Sequence, residues 1–320
     1  MSDILNRIAG MGVVPVIKIE DPETAVPLAD AIRKGGLNNI EVTVRNETAY
    51  TSIKAIKSAF PDMLVGAGTI LNPAMVDEAL AAGADYIVAP GLHVPTVRRC
   101  AEAGVPIVPG CTSASEIQTA LDEGLTVLKF FPAEASGGLK TIKDLAGPFS
   151  QVRFVATGGM SFDNMGAYLR TPAVAAIGGS FMAKADVIAR HDWDTITANC
   201  KKCMDLCLGF ELAHVGINQP TKDEAVSVAE TLNERFPLGV KVGGKSTFLG
   251  TAVEVMHTMF YGTNGHIGFK TNSPERAKAY FESKGLTIKE ETLTYKNGRL
   301  NFFYLEEEVG GFAVHVVAKA

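Results

Sequence analysis

The chain has 320 residues, 47% of them hydrophobic and 20% charged, with a formal net charge of −5 at pH 7. This is an ordinary globular composition with ample core, and its interspersed charges leave no electrostatic footprint for nucleic acid or a membrane surface. No apolar run approaches the ~20 residues that span a bilayer, and the start Met1-Ser2-Asp3-Ile4-Leu5 lacks the basic and apolar regions of a signal peptide, so the expected location is the cytoplasm.

From Val13 to about Leu208, short β-branched runs alternate with amphipathic helical stretches. Strands are expected at Val13–Ile19, Asn39–Val44, Leu64–Ile70, Tyr86–Ala89, Pro106–Pro109, Thr126–Phe131, Arg153–Thr157 and Ala173–Ile177. Helices are expected at Pro22–Lys34, Glu47–Ala59, Pro73–Ala82, Val94–Ala103, Ser113–Glu123, Leu139–Leu145 and Asp163–Leu169. Asp21-Pro22 and Asn72-Pro73 are ordinary helix starts, an acceptor followed by proline. The strands are apolar on both faces, as parallel strands covered by helices are. Eight such strands in roughly 200 residues point to a (β/α)8 TIM barrel, with a doubly wound sheet as the alternative. In a barrel the chemistry belongs at the C-terminal strand ends.

Five cysteines, at 100, 111, 200, 203 and 207, are few for the length and fit reduced thiols. Cys200-Lys201-Lys202-Cys203 has the spacing of a redox or zinc pair. It lies in a helical stretch, Trp193 to Leu208, where cysteines three and four apart share a face and act as small hydrophobes.

Beyond Phe210 the alternation stops and the chain repeats itself. Glu211-Leu212-Ala213-His214-Val215-Gly216-Ile217 is echoed by Thr263-Asn264-Gly265-His266-Ile267-Gly268-Phe269. Each is followed by an amphipathic helix and then strand-like segments, which end at Ala252–Met256 and Ala313–Val317. The pattern predicts two βαβββ units of roughly 55 residues each. It divides the chain into a barrel domain, 1–208, and a smaller α+β domain, 209–320.

The strand ends carry the polar residues. Lys129 stands in the apolar run Leu128-Lys129-Phe130-Phe131-Pro132-Ala133-Glu134. Burial disfavours a charged amine and frees its nucleophilic lone pair, although a lysine at a strand end can also snorkel to solvent. Glu41 in Glu41-Val42-Thr43-Val44-Arg45 is a carboxylate inside a core strand, either an ion-pair partner for Lys129 or Arg45 or a proton-transfer group. Arg45 offers a planar fork for a carboxylate. Thr157-Gly158-Gly159 and Gly178-Gly179-Ser180, after strands seven and eight, suit a phosphate held by backbone N–H groups.

These strings, with Gly66-Ala67-Gly68-Thr69, Pro109-Gly110 and Gly147-Pro148-Phe149, resemble the 2-keto-3-deoxy-6-phosphogluconate (KDPG)/4-hydroxy-2-oxoglutarate (KHG) aldolase family over about residues 1–205. The resemblance implies a class I, metal-independent lyase, usually a homotrimer, acting on a small-molecule substrate without a cofactor. Its expected reaction is cleavage of 2-keto-3-deoxy-6-phosphogluconate to pyruvate and glyceraldehyde 3-phosphate. The alternative is 4-hydroxy-2-oxoglutarate as main substrate, giving pyruvate and glyoxylate. By the same resemblance Lys129 is the Schiff-base lysine and Glu41 the general acid/base, while Arg45 and Thr69 hold the pyruvate end. Thr157, Gly158, Gly159, Gly179 and Ser180 fall at the phosphate end. Lys18 occupies a place where relatives have arginine or an apolar residue, and is a candidate cation for phosphate or carboxylate.

The C-terminal half resembles the vicinal-oxygen-chelate superfamily, which includes glyoxalases. That resemblance implies metal ligands on the first and last strands of each unit, here His214, Glu254, His266 and His315, a set suited to a divalent transition metal. A sensing or assembly module and a fused second enzyme are the other readings of this domain.

Overall fold

The computed structural model describes residues 2–319. It divides between Cys207 and Leu208 into two compact units. The first runs α1 (Asp3–Met11), β1 (Val13–Ile17), α2 (Ala25–Lys34), β2 (Asn39–Thr43), α3 (Thr48–Ala59), β3 (Leu64–Gly68), α4 (Pro73–Ala81) and β4 (Tyr86–Val88). It continues through α5 (Val94–Glu102), β5 (Ile107–Val108), α6 (Ala114–Asp122), β6 (Val127–Phe130), α7 (Gly138–Ala146), β7 (Arg153–Thr157), α8 (Met165–Leu169), β8 (Val174–Gly179), α9 (Ala185–Ala189) and α10 (Trp193–Leu208).

The eight strands are parallel and ordered β5-β4-β3-β2-β1-β8-β7-β6. The circle closes between β6 and β5 at one residue. Lys129 donates its N–H to the Pro109 carbonyl at 2.8 Å and accepts from the Cys111 N–H at 2.9 Å. The result is the expected (β/α)8 barrel. β5 is only two residues long because the flanking Pro106 and Pro109 have no N–H for a ladder.

A helix ahead of the first strand is an addition to the expected elements. The Ser2 side chain caps α1 by accepting from the Leu5 N–H, and Gly12 ends it at φ 73°. Ile4, Leu5, Ile8 and Met11 lie at helical spacing and pack on the barrel's interior cluster of Val14, Leu64, Tyr86, Val88, Val108, Val127, Val155 and Ala176. Full burial of each such side chain contributes roughly 1.5–3 kcal/mol, and this face holds a nine-residue helix too short to be stable alone. The cysteines of α10 are buried, and burial pushes the Cys200 thiol up to about 12.

The second unit holds β9 (Glu211–Asn218), α11 (Lys222–Arg235), β10 (Val240–Val242), β11 (Ser246–Leu249) and β12 (Val253–Met256). Then come β13 (Gly265–Thr271), α12 (Pro274–Ser283), β14 (Ile288–Lys296), β15 (Arg299–Val309) and β16 (Phe312–Ala318). These are two βαβββ units in one sheet ordered β10-β11-β12-β9-β13-β16-β15-β14. The units meet where β9 and β13 pair antiparallel, each with its own last strand parallel on the other side. No helix among the described residues is long and apolar enough to cross a membrane.

Candidate active site and histidine centre

Lys129 on β6 and Glu41 on β2 come together inside the barrel wall, Nζ to Oε1 at 3.2 Å, with both side chains less than a tenth exposed. Of the two partners open to Glu41, the structure selects Lys129. The carboxylate fits because β3 carries no side chain at Gly68, where a Cβ would lie 2.9 Å from Glu41 Cγ. One register step earlier, Glu41, Gly66 and Tyr86 are aligned across β2, β3 and β4. The Tyr86 ring lies across Gly66, and burial followed by the Glu41 charge pushes its phenol well up. The Lys129 ammonium also lies 5.2 Å from the Phe131 ring centroid.

A cavity of about 310 Å³ opens beside this pair, lined by Lys18, Arg45, Thr157, Gly158, Gly159, Gly179 and Ser180 among others. Glu41, Lys129 and Thr69 are not in its lining. Thr43, two residues beyond Glu41 and so on the same face of β2, is. Arg45 is exposed there, while Lys18 is exposed and paired with Glu20 at 2.6 Å. Thr157 is 6% exposed, and its hydroxyl has no protein partner.

The two glycine pairs differ. Gly158 and Gly159 form a left-handed turn, φ 97° and 81°. Gly178 and Gly179 belong to β8 itself, which corrects the expectation of a second glycine turn, and only Ser180 follows the strand. The turn is anchored by residues that the sequence did not single out. Ala133 and Glu134 donate backbone N–H groups to Thr157 and Gly158 carbonyls at 2.8 and 3.2 Å. Tyr168 donates its hydroxyl to the Glu134 carboxylate, and Asn164 holds the Gly159 carbonyl at 2.9 Å. The motif that contains Lys129 also contains Glu134, which was the available signal.

Thr69, at the end of β3, has φ 64°. A β-branched residue rarely adopts this conformation, at a cost of roughly 1–2 kcal/mol. Thr69→Gly is expected to raise stability by about 0.5–1 kcal/mol, the relief being partly offset by glycine's unfolded-state freedom. Chemical denaturation tests this.

In the second unit the four anticipated residues converge. His214 Nε2 lies 3.1 Å from Nε2 of His266 and of His315. Glu254 Oε2 lies 3.3 Å from Nε2 of both His214 and His266. Burial lowers the His214 pKa, and burial with the neighbouring histidines brings His315 down to about 3. Burial opposes the charge of Glu254, but hydrogen bonds with His266 and Ser246 and the adjacent His214 outweigh it and lower its pKa. The donor set is three imidazoles, whose ligand atoms all lie within 4.8 Å of one another, beside a carboxylate. The buried Nδ1 atoms of His266 and His315 have no hydrogen-bond partner. One cation would take a lone pair from each facing Nε2 and from the carboxylate, so the residues fit a transition metal. His257 lies outside the cluster, bonded to Thr247 at 2.8 Å.

Residues 4–199 match the family model described as "Aldolase: KDPG and KHG aldolase". The chain is 44% identical over 193 residues to the KHG/KDPG aldolase of Escherichia coli, covering 60% of this chain and 91% of the relative. Among solved structures it is similar to a KDPG aldolase from Legionella pneumophila with pyruvate captured as a covalent carbinolamine (37% identity, 62% and 97% coverage, TM-score 0.61). It is also similar to the 2-keto-3-deoxy-6-phosphogluconate aldolase of Zymomonas mobilis ZM4 with 3-phosphoglycerate (39% identity, 64% and 96% coverage, TM-score 0.61). A parallel barrel with this lysine–carboxylate pair and these relatives is a carbon–carbon lyase. The chain belongs to the KDPG and KHG aldolase family.

Proposed function

We propose that the barrel is a Schiff-base aldolase that reversibly cleaves 2-keto-3-deoxy-6-phosphogluconate to pyruvate and glyceraldehyde 3-phosphate. The observation that carries this reading is the buried Lys129–Glu41 pair at 3.2 Å. Within that pair the proton can pass to the carboxylate, which leaves a free amine. Lys129 then attacks the C2 carbonyl, and Glu41 gives its proton to the departing hydroxyl, so loss of water leaves a protonated imine, which accepts electrons from the breaking C3–C4 bond, and a free carboxylate. Glu41, directly or through water, takes the C4 hydroxyl proton as the aldehyde departs, then helps to return a proton to C3 of the enamine before hydrolysis. Arg45 and Thr69 hold the carboxylate end of the pyruvate half. Thr157, Gly158, Gly159, Gly179 and Ser180, with Lys18, hold the phosphate end. A cavity of about 310 Å³ suits a ligand of this size.

Borohydride reduction in the presence of pyruvate, followed by peptide mapping, tests the assignment. The adduct is expected on Lys129. An adduct on Lys140 or Lys143, both exposed on α7, would overturn it.

The exposed cation Lys18 favours 4-hydroxy-2-oxoglutarate as a second substrate, since it can take a carboxylate in place of phosphate. Ser180→Ala removes one hydrogen bond to a charged group, worth roughly 1.5–3 kcal/mol, so KM for the phosphorylated substrate should rise about tenfold or more. KM for 4-hydroxy-2-oxoglutarate should move less. Equal changes would place the phosphate elsewhere.

The family resemblance further supports a homotrimer or another homo-oligomer, and the free, buried cysteines support a cytoplasmic location. Residues 209–320 read as a vicinal-oxygen-chelate (glyoxalase-like) module that serves a metal-binding, sensing or accessory role. His214, Glu254, His266 and His315 would hold a divalent transition metal there, which when bound supplies a Lewis acid. A stoichiometric metal signal lost in the His214/His266 double alanine variant is the supporting result.

A further inference from the structure

We propose that Gly216 and Gly268 build the histidine centre, each repeat's His-x-Gly vacating the sheet face on which the other repeat's ligand lands. This rests on the metal-binding reading of the second unit.

Across the antiparallel seam His266 is opposite Gly216, and His214 is opposite Gly268. On the outer side of each glycine stands the remaining ligand, Glu254 beside Gly216 and His315 beside Gly268. The four donor residues are therefore the cross-strand neighbours of the two glycines, two for each. Directly opposed Cβ atoms in a sheet lie only ~4.5–5.5 Å apart, so a ring that leans inward must lie over its neighbour. It does so here. A Cβ on Gly216 would lie 2.0 Å from His266 Cε1, and one on Gly268 would lie 2.6 Å from His315 Cε1 and Nε2 and 3.0 Å from His214 Cε1.

Neither glycine is required by backbone conformation. Both lie within strands, Gly268 beside a register shift to Phe269, and both are outside the left-handed region that Gly265 occupies at φ 120°. Space is the reason for them. Within β9 and β13, His214 and Gly216, like His266 and Gly268, are two residues apart and so face the same side. Each glycine borders one ligand of its own repeat and one of the other. The centre is consequently a property of the paired repeats, and this gives the sequence echo His-Val-Gly-Ile and His-Ile-Gly-Phe a physical meaning.

The test uses the full chain stripped of metal and then titrated with Zn²⁺, with elemental analysis after dialysis. Wild type should retain one zinc per chain, and Gly216→Ala and Gly268→Ala should each weaken binding roughly 10–100-fold or more. Aldolase turnover in the same preparations checks that the barrel is intact. Wild-type affinity in either variant would overturn the proposal. Stability of the metal-free chains provides the second readout. Gly216→Ala should lower the unfolding midpoint of the wild-type chain but not of a His266→Ala chain, where the ring that meets the methyl is gone. Equal losses in both backgrounds would overturn the cradle. Absence of zinc from wild type would instead overturn the metal reading, while the paired stability measurement still decides whether the glycines make room for the rings.

Discussion

Lys129→Ala is expected to abolish turnover and pyruvate trapping, and to destabilise the barrel as well. The variant removes the proposed nucleophile and strands Glu41, 3% exposed, with no counter-charge. Breaking a buried ion pair from one side costs about 3–5 kcal/mol, a far larger effect than a surface lysine would give. A denaturant titration should show it as a lowered midpoint for the barrel transition. Replacing both partners, Lys129→Met with Glu41→Leu, should recover stability to near wild type or above it, because buried ion pairs are often neutral or unfavourable relative to packed apolar groups. The double variant remains inactive. Single and double variants of equal stability would mean that the pair is not buried as described.

The second large effect is Glu41→Gln. The amide keeps the shape that fits over Gly68 and can still accept from Lys129, but it takes up no proton. General acid–base catalysis contributes typically 10²–10⁴-fold, so cleavage should fall by about that factor while pyruvate remains trappable at Lys129. Separating the two readouts assigns the roles. If trapping fell in proportion to turnover, Glu41 would be needed for imine formation and not specifically for bond cleavage.

The barrel was legible because parallel strands covered on both sides read as apolar runs between Gly and Pro breaks. α1 was not, although Ser2 and the spacing of Ile4, Leu5, Ile8 and Met11 were in view. Its stability comes from the barrel interior, a contact that no local pattern announces. The site residues were legible as types and positions. The meeting of Lys129 with Glu41, 88 residues apart, depends on closure of the circle. Thr69 has nothing in its sequence to mark a positive φ, since threonine is a poor choice for one. The Glu134–Tyr168 anchor was equally hidden, with one member on the β6 loop and the other on a five-residue helix. In the second unit the repeat gave the ligands, while the reason for its glycines lay in strand register.

The closure at Lys129 has a mechanical consequence. Elsewhere neighbouring strands of the barrel share ladders, but β5 and β6 are joined at a single bridge, Gly110 to Lys129. Local opening draws on the segments with the least pairing, so the wall is expected to open most readily beside the Lys129 amine. A substrate bonded to Lys129 and held at its far end by the Gly158–Gly159 turn would brace that seam from inside. Catalytic occupancy would then stiffen the whole hoop.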